Sequence, residues 1–277
     1  MFCWALVGCG GASESTGSDR VRVVAGFYPL AEAARQVGGN RVQVDDLTPA
    51  GAEPHDLEMT TKERDRTEDA DLVVVLGGGF QPAVETAARA RSGETLTVGS
   101  ASDDPHIWLD PHEMVRIVDR VEYALIGVDS DNARRYARNA GVYREQLDAL
   151  DREYTQGLAT CVRRTIVTAH DAFGRLARRY DLVAEPIAGI SPDQEPDPKR
   201  LAELADLAER DGVTTVFTET LVSPKVARTL AKEAGGLLTA VLDPLESLSE
   251  TQRTAGANYI SVMKKNLQAL RKALTCN

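Results

Sequence analysis

Apolar residues from position 21 onwards fall into two alternating patterns along the chain. Short runs of β-branched and aliphatic residues favour strands, whereas apolar residues three or four positions apart favour helices with one buried face. In the first half, the patterns predict strands at 21–25, 42–44, 72–76 and 95–98, and helices near 28–38, 60–68 and 80–91. The strand at 72–76 is continuously apolar, which is typical of a parallel sheet that is covered on both faces.

The longest predicted helix covers residues 131–158, near the middle of the chain. About 28 residues at a rise of about 1.5 Å each span about 42 Å, enough to run the length of a domain. A single apolar stripe follows one face of this helix. Its members are Tyr136, Ala140, Tyr143, Leu147, Leu150, Tyr154 and Leu158.

The alternation of strands and helices then starts again. Strands are predicted at 165–168, 182–187, 213–217 and 237–242, and helices near 172–180, 197–211, 223–234 and 251–273. Such alternation predicts parallel sheets flanked by helices. We therefore expect an α/β fold with two lobes bridged by one long rigid helix. The predicted division is a leader and flexible tether at 1–19, a first lobe at 20–130, the linking helix at 131–158 and a second lobe at 159–277.

Composition and charge narrow the range of partners. The formal net charge is -10, which argues against nucleic acid because binding phosphates requires clustered lysine and arginine. No stretch reaches the roughly 18 apolar residues that a spanning helix requires.

The first residues carry a targeting pattern. The segment Leu6-Val7-Gly8-Cys9 resembles the lipobox of bacterial lipoproteins, which implies a lipid anchor on Cys9 and an extracytoplasmic, membrane-attached protein. No basic residue precedes the apolar run, so the segment departs from a full signal, and an ordinary terminus is the alternative.

If Cys3 is removed and Cys9 is lipidated, Cys161 and Cys276 remain as an even pair in an oxidising compartment. They could form a disulfide, and two free buried thiols are the alternative.

Three of the four histidines, and one aspartate, follow predicted strands: His55, His106, His170 and Asp243. Ligands of open α/β sheets bind beyond the carboxyl ends of the strands, so these four side chains could face one crevice. Two come from each lobe, which favours a site between the lobes. His112 lies in the first turn of a helix and is expected at the surface.

The segments around these residues also carry a family resemblance. They are Phe27-Tyr28-Pro29-Leu30, Glu53-Pro54-His55-Asp56, Asp104 through Pro111, Thr168 through Phe173, and Glu219 through Asp243-Pro244-Leu245. From about residue 21 to its end, the chain resembles the zinc/manganese solute-binding lipoproteins of bacterial ABC importers. The chain departs from the family in one loop. Many zinc-binding members carry a His-rich loop before the second ligand, whereas this chain has only residues 99–103 at that position.

The resemblance implies a metal carrier with ligands at His55, His106, His170 and Asp243. Its partners would be an importer permease and its ATPase, and we expect a monomer. Three imidazoles and one carboxylate favour Zn2+, whereas Mn2+, the alternative, prefers more oxygen ligands. Glu219 competes with Asp243 as the fourth ligand. Carboxylates expected to orient the imidazoles, or else to be solvated at the surface, are Glu53, Asp56 and Asp171.

Two other function classes are compatible with parts of this pattern, a metallohydrolase and a metal-dependent adhesin. A metallohydrolase is disfavoured because catalytic zinc keeps an open coordination position, whereas four protein ligands close the site. The sequence also lacks the His-Glu-x-x-His and Gly-x-Ser-x-Gly motifs. We therefore expect a protein that is not an enzyme. A metal-dependent adhesin shares the same fold and site, so it stays open as a second role.

Overall fold

The computed structural model describes residues 20–99, 104–192, 194 and 196–277. The predicted lipobox and tether, and most of the short loop at 99–103, lie outside the described residues. Within the described part of the chain, the strands form two parallel sheets of four strands each. The α/β fold with two lobes is therefore confirmed. The lobe boundaries at 20–130 and 159–277 stay a prediction.

The first sheet is made of β1 (Val21–Ala25), β2 (Val42–Asp46), β3 (Leu72–Leu76) and β4 (Glu94–Val98), in the order β2-β1-β3-β4. All five residues of β3 are buried, as its continuous apolar run predicts. The helices of this lobe are α1 (Tyr28–Gly38), α2 (Thr61–Asp69), α3 (Pro82–Ala90) and α4 (Pro111–Val128).

The linking helix α5 covers Ala133–Leu158 and has 26 residues. It begins two residues later than predicted because Ser130–Asn132 form a 3-10 turn. All seven residues of the predicted stripe are buried. Asn139 Nδ2 donates to the Val37 carbonyl of α1 at 2.9 Å. Further along, Tyr154 Oη donates to the Met263 carbonyl in the other lobe at 2.7 Å, so α5 is tied to both lobes.

The second sheet consists of β5 (Thr165–Thr168), β6 (Val183–Pro186), β7 (Thr215–Thr218) and β8 (Leu238–Val241), in the order β6-β5-β7-β8. Its helices are α6 (Gly174–Arg179), α7 (Pro198–Arg210), α8 (Lys225–Glu233), α9 (Glu250–Thr254) and α10 (Tyr259–Leu274). Both sheets therefore place the loops after their strands at one edge.

The predicted single helix at 251–273 is wrong, because the structure divides it into α9 and α10. Gly256 between them has φ +70°, a left-handed conformation that glycine adopts without steric cost. Asn258 then caps α10, its side chain accepting a hydrogen bond from the Ser261 backbone at 2.9 Å. The apolar stripe belongs to α10 alone, because α9 contains no apolar or buried residue.

The predicted disulfide between Cys161 and Cys276 is confirmed. It joins the residues that follow α5 and α10, where Val162 N also donates to the Thr275 carbonyl at 3.2 Å. The bond closes a span of 115 residues, and restricting the unfolded chain in this way contributes about 4–5 kcal/mol as an upper limit.

Hydrogen bonds join the two lobes beside the strand ends. Trp108 Nε1 donates to the Pro244 carbonyl at 2.8 Å, and Tyr259 Oη donates to the Trp108 carbonyl at 2.6 Å. Ser247 Oγ donates to the Pro49 carbonyl at 3.1 Å. One hydrophobic core extends through both lobes. Among the described residues, no helix combines the length and the apolar character needed to cross a bilayer.

Candidate metal centre

Four side chains from both lobes converge beyond the carboxyl ends of the strands. Each of His55, His106, His170 and Glu246 offers one ligand atom, and these atoms lie within 4.8 Å of one another. The Nε2 atoms of the three imidazoles lie 3.3, 3.2 and 3.2 Å from Glu246 Oε1. His106, His170 and Glu246 are buried, whereas His55 is partly exposed.

Each of the four follows a strand of its own. His55 lies in the loop between β2 and α2, His106 follows β4, and His170 follows β5. Glu246 follows β8 by a longer step, through a turn in which Leu245 has φ +58°. A left-handed residue reverses the chain locally, and the turn brings the Glu246 side chain to the imidazoles.

Asp243, the predicted fourth ligand, is not brought into this cluster. Its Oδ1 accepts a hydrogen bond from Leu245 N at 2.8 Å, and its Oδ2 accepts one from Gln252 Nε2 at 2.6 Å. Its own backbone N–H donates to Asn266 Oδ1 at 2.9 Å. Asp243 therefore stabilises the turn whose last residue is Glu246. Glu246, and not Asp243, occupies the predicted position of the fourth ligand.

Glu219, the predicted rival of Asp243, lies behind His170 and not at its Nε2. Glu219 Oε1 is 2.7 Å from His170 Nδ1 and accepts from His170 N at 3.3 Å. A carboxylate on Nδ1 fixes the orientation and the tautomer of an imidazole whose Nε2 faces a metal.

Asp104 has the same relation to His106. Its Oδ1 lies 3.2 Å from His106 Nδ1 and accepts from His106 N at 3.1 Å. The three carboxylates that were expected to orient the imidazoles make weaker contacts with the rings than Glu219 and Asp104 do. Glu53 Oε1 accepts from the His55 backbone at 3.2 Å and lies 3.9 Å from His55 Nε2, while Asp56 is exposed and Asp171 is half-buried. His112 is exposed, as predicted.

The electrostatics of the cluster favour a cation. Burial alone would raise the pKa of Glu246, but hydrogen bonds with the three imidazoles hold that pKa well below its usual range. Burial would lower the pKa of His170, but Glu219 and Glu246 outweigh burial and raise it to about 10. The pKa of His106 is raised against its own burial by Asp104 and Glu246. Burial, and then the charge of Glu246, raise the pKa of Glu53 to about 8.

The second oxygen of Glu246 points to the same conclusion. Glu246 Oε2 is buried and has no hydrogen-bond partner among the residues that the structure describes. Leaving a buried carboxylate oxygen unpaired is costly unless something else satisfies it. Three imidazole nitrogens with a carboxylate fit zinc, which takes four nitrogen, oxygen or sulfur donors in structural sites. The residues therefore fit a divalent transition metal.

Aromatic rings enclose one side of the cluster. The ring of Phe80 lies 4.4 Å from that of His55, and the ring of Trp108 lies 5.1 Å from that of His106, both between centroids. Phe27 packs against both Phe80 and Trp108. Apolar walls exclude water, so ligand atoms and charge interact more strongly within them.

Two residues of the site were not found from the sequence. Glu246 was missed because it does not directly follow a strand, although Asp243-Pro244 is typical of a turn in which the aspartate caps the next N–H groups. Asp104 does not directly follow a strand, and the family resemblance includes it only within the segment Asp104 through Pro111. Its place two residues before His106, within reach of that residue's N–H, is the signal that could have indicated its role.

Comparisons with known proteins show the family to which the chain belongs. Residues 23–273 match the family described as ZnuA, zinc-uptake complex component A, periplasmic. The zinc-binding lipoprotein AdcA of Streptococcus pneumoniae serotype 4 is 34% identical over 293 residues, covering 96% of this chain and 58% of that protein. The high-affinity zinc uptake system protein ZnuA of Bacillus subtilis is 35% identical over 303 residues, covering 98% of this chain and 95% of that protein.

Among solved structures, the Zn(II)-bound ZnuA-like domain of Streptococcus pneumoniae AdcA superposes with a TM-score of 0.80 at 36% identity. The match covers 92% of this chain and 99% of that domain. The chain thus spans a little over half of the whole AdcA protein but nearly all of its ZnuA-like domain and of ZnuA. The sequence match across both lobes, together with the shared fold, shows that this chain belongs to the ZnuA family of zinc-uptake components.

Proposed function

We propose that the chain is an extracytoplasmic solute-binding protein that captures zinc with His55, His106, His170 and Glu246 and delivers it to an ABC importer. The convergence of three imidazole Nε2 atoms on Glu246 Oε1 is the observation that carries the proposal. The names of the AdcA and ZnuA relatives, both tied to zinc, support it.

Zinc is favoured over manganese by the donor set. Three imidazoles supply nitrogen, and one carboxylate supplies oxygen, whereas manganese sites are richer in oxygen. Copper binds such ligands at least as tightly by intrinsic affinity, so selection of zinc in the cell depends also on which metal is available.

A carrier is favoured over an enzyme by the number of protein donors. A catalytic zinc needs a position for water or substrate beside its protein ligands. Here two lobes supply four donors, and three of these four residues are buried. Such a site holds its metal and exchanges it slowly unless the protein moves.

The proposed capture step uses one pair of ligands from each lobe. His55 and His106 belong to the first lobe, and His170 and Glu246 to the second. Zinc bound by all four would bridge the lobes and stabilise the arrangement that an importer recognises. Since α5 and the bonds at Trp108 and Ser247 already join the lobes, we expect release to require local movement and not a wide hinge.

The proposed location is the outer side of the bacterial membrane. The family description names the periplasm, and one relative is named a lipoprotein. A lipid on Cys9 would attach the chain, with residues 10–19 as a tether. We propose that the protein acts as a monomer and that its partners are an importer permease and the ATPase of that importer.

Metal analysis of the purified protein, followed by competitive titration, tests the proposal. We expect one zinc per chain, a preference for zinc over manganese, and a severe loss of zinc binding in His170→Ala. Deleting the gene should abolish growth at low zinc. Normal zinc uptake with lost attachment to host surfaces would favour the adhesin role instead.

A further inference from the structure

Asp104 makes two hydrogen bonds to one proposed ligand. Its Oδ1 faces both the backbone N and the ring Nδ1 of His106, at 3.1 and 3.2 Å. An acceptor on Nδ1 keeps the ring proton there and leaves Nε2 free to bind a metal. The Asp104 side chain is 13% exposed. Its second oxygen, Oδ2, faces groups on the second lobe.

Those groups come from helix α6, which begins four residues after His170. Arg175 Nε donates to the Asp104 carbonyl at 2.9 Å, and Arg178 Nη2 donates to Asp104 Oδ2 at 3.1 Å. Gly174 lets the helix come this close, because a Cβ at that position would lie 2.9 Å from Asp104 Oδ2. Three residues of α6 thus face Asp104 of the opposite lobe, Gly174 and Arg178 at its carboxylate and Arg175 at its backbone carbonyl.

We infer that Asp104 is a positioning residue that couples His106 to the second lobe, through its contacts with Arg175 and Arg178. This inference rests on the proposed function and names how one ligand of that site is held. With the lobes together, Arg178 holds the carboxylate of Asp104 and Arg175 holds its backbone carbonyl, and the carboxylate fixes the imidazole. When the lobes separate at α6, His106 loses the partner that orients it, and zinc is held less tightly.

Arg178 offers a test that leaves the fold intact. Its side chain is 67% exposed, and exposed ion pairs contribute little to the free energy of folding. Arg179 is the control, since it lies next on the same helix, donates to Asp151 of α5 and lies 3.8 Å from Asp110, so its recorded carboxylate partners do not include Asp104. Replacing either arginine by glutamine removes one positive charge from α6.

The experiment compares Asp104→Ala, Asp104→Asn, Arg178→Gln and Arg179→Gln with the wild-type chain. Zinc affinity is measured by competition with a chelator, and the His106 ring by NMR of protein with 15N-labelled histidine. We expect a loss of about 10–100-fold for Asp104→Ala, as for other residues that orient metal ligands. The loss in Asp104→Asn should be smaller, because the amide oxygen can still accept from Nδ1. For Arg178→Gln we expect a loss of zinc affinity of about two- to five-fold, which corresponds to the free energy of an exposed ion pair.

The NMR spectrum separates positioning from a general loss of structure. The Nδ1 proton resonance of His106 should shift in Asp104→Ala and in Arg178→Gln, and stay unchanged in Arg179→Gln. The inference is overturned if Arg178→Gln and Asp104→Ala bind zinc as Arg179→Gln does. Absence of zinc binding by the wild-type chain would instead overturn the proposed function. If Asp104→Ala fails to fold, the comparison of Arg178→Gln with Arg179→Gln still decides.

Discussion

Glu246 Oε1 lies 3.2 Å from His170 Nε2, although 76 residues separate the two in the sequence. The same oxygen lies as close to His106, which is 140 residues away in the other lobe. One buried carboxylate oxygen thus meets three imidazole nitrogens from two lobes. A divalent cation placed among them would bind all four groups at once.

Replacing Glu246 should reduce zinc binding more than replacing Asp243. Glu246→Ala removes a proposed ligand, and we expect a loss of at least about 100-fold in affinity, about 2.7 kcal/mol. Asp243→Asn keeps the size of the side chain and should lower the melting temperature more than the affinity, since Asp243 holds a turn. Competitive titration and thermal unfolding of both variants check this. A larger loss of affinity in Asp243→Asn would restore Asp243 as the ligand.

Replacing Glu219 should weaken zinc binding without removing a ligand. Glu219→Ala leaves His170 Nδ1 without its carboxylate, so we expect a loss of about 10–100-fold. Glu203→Ala on α7 of the same lobe removes an exposed carboxylate and serves as the control. Equal affinities of the two variants would show that Glu219 does not orient His170.

Zinc affinity should fall as the pH is lowered. Hydrogen bonds to carboxylates raise the pKa of His170 to about 10 and also raise that of His106, so these imidazoles hold their protons to a higher pH than a free imidazole does. Neutral imidazole is the form that binds zinc, so binding releases protons, and lower pH favours the metal-free state. Titrations between about pH 8 and pH 5 should show a continuous loss of affinity on acidification. Affinity that is constant from about pH 7 to pH 5 would argue against three histidine ligands.

Removing the disulfide should affect stability and not metal binding. Cys161 and Cys276 follow α5 and α10 and contribute no atom to the metal cluster. We expect the double variant Cys161→Ala, Cys276→Ala to lose about 2–5 kcal/mol of unfolding free energy. Urea unfolding gives this number, and titration at low temperature should give an unchanged zinc affinity. A zinc affinity that falls with the disulfide would show that the cross-link shapes the site.

Most of the fold could be predicted because local patterns and the tertiary structure agree. The stripe from Tyr136 to Leu158 predicts the buried face of α5, and the run at 72–76 predicts a central strand. The prediction of one helix at 251–273 failed because the apolar spacing lies in α10 alone, whereas α9 has no apolar residue and Gly256 separates the two helices.

The candidate site likewise contains residues that could be predicted from the sequence and residues that could not. The three histidines follow strands directly or in the next loop, so parallel topology alone brings them towards one edge. Glu246 depends on a turn at Leu245 with φ +58°, which no periodicity indicates. Asp104 depends on a contact between the lobes, which is a property of the assembled fold.

The most direct test is a crystal structure of the zinc-loaded protein with anomalous diffraction at the zinc edge. The account predicts one strong peak, bound by the Nε2 atoms of His55, His106 and His170 at about 2.0–2.1 Å and by a Glu246 oxygen at about 2.0–2.2 Å. A zinc ion bound by Asp243 in place of Glu246, or bound away from the three histidines, would contradict it.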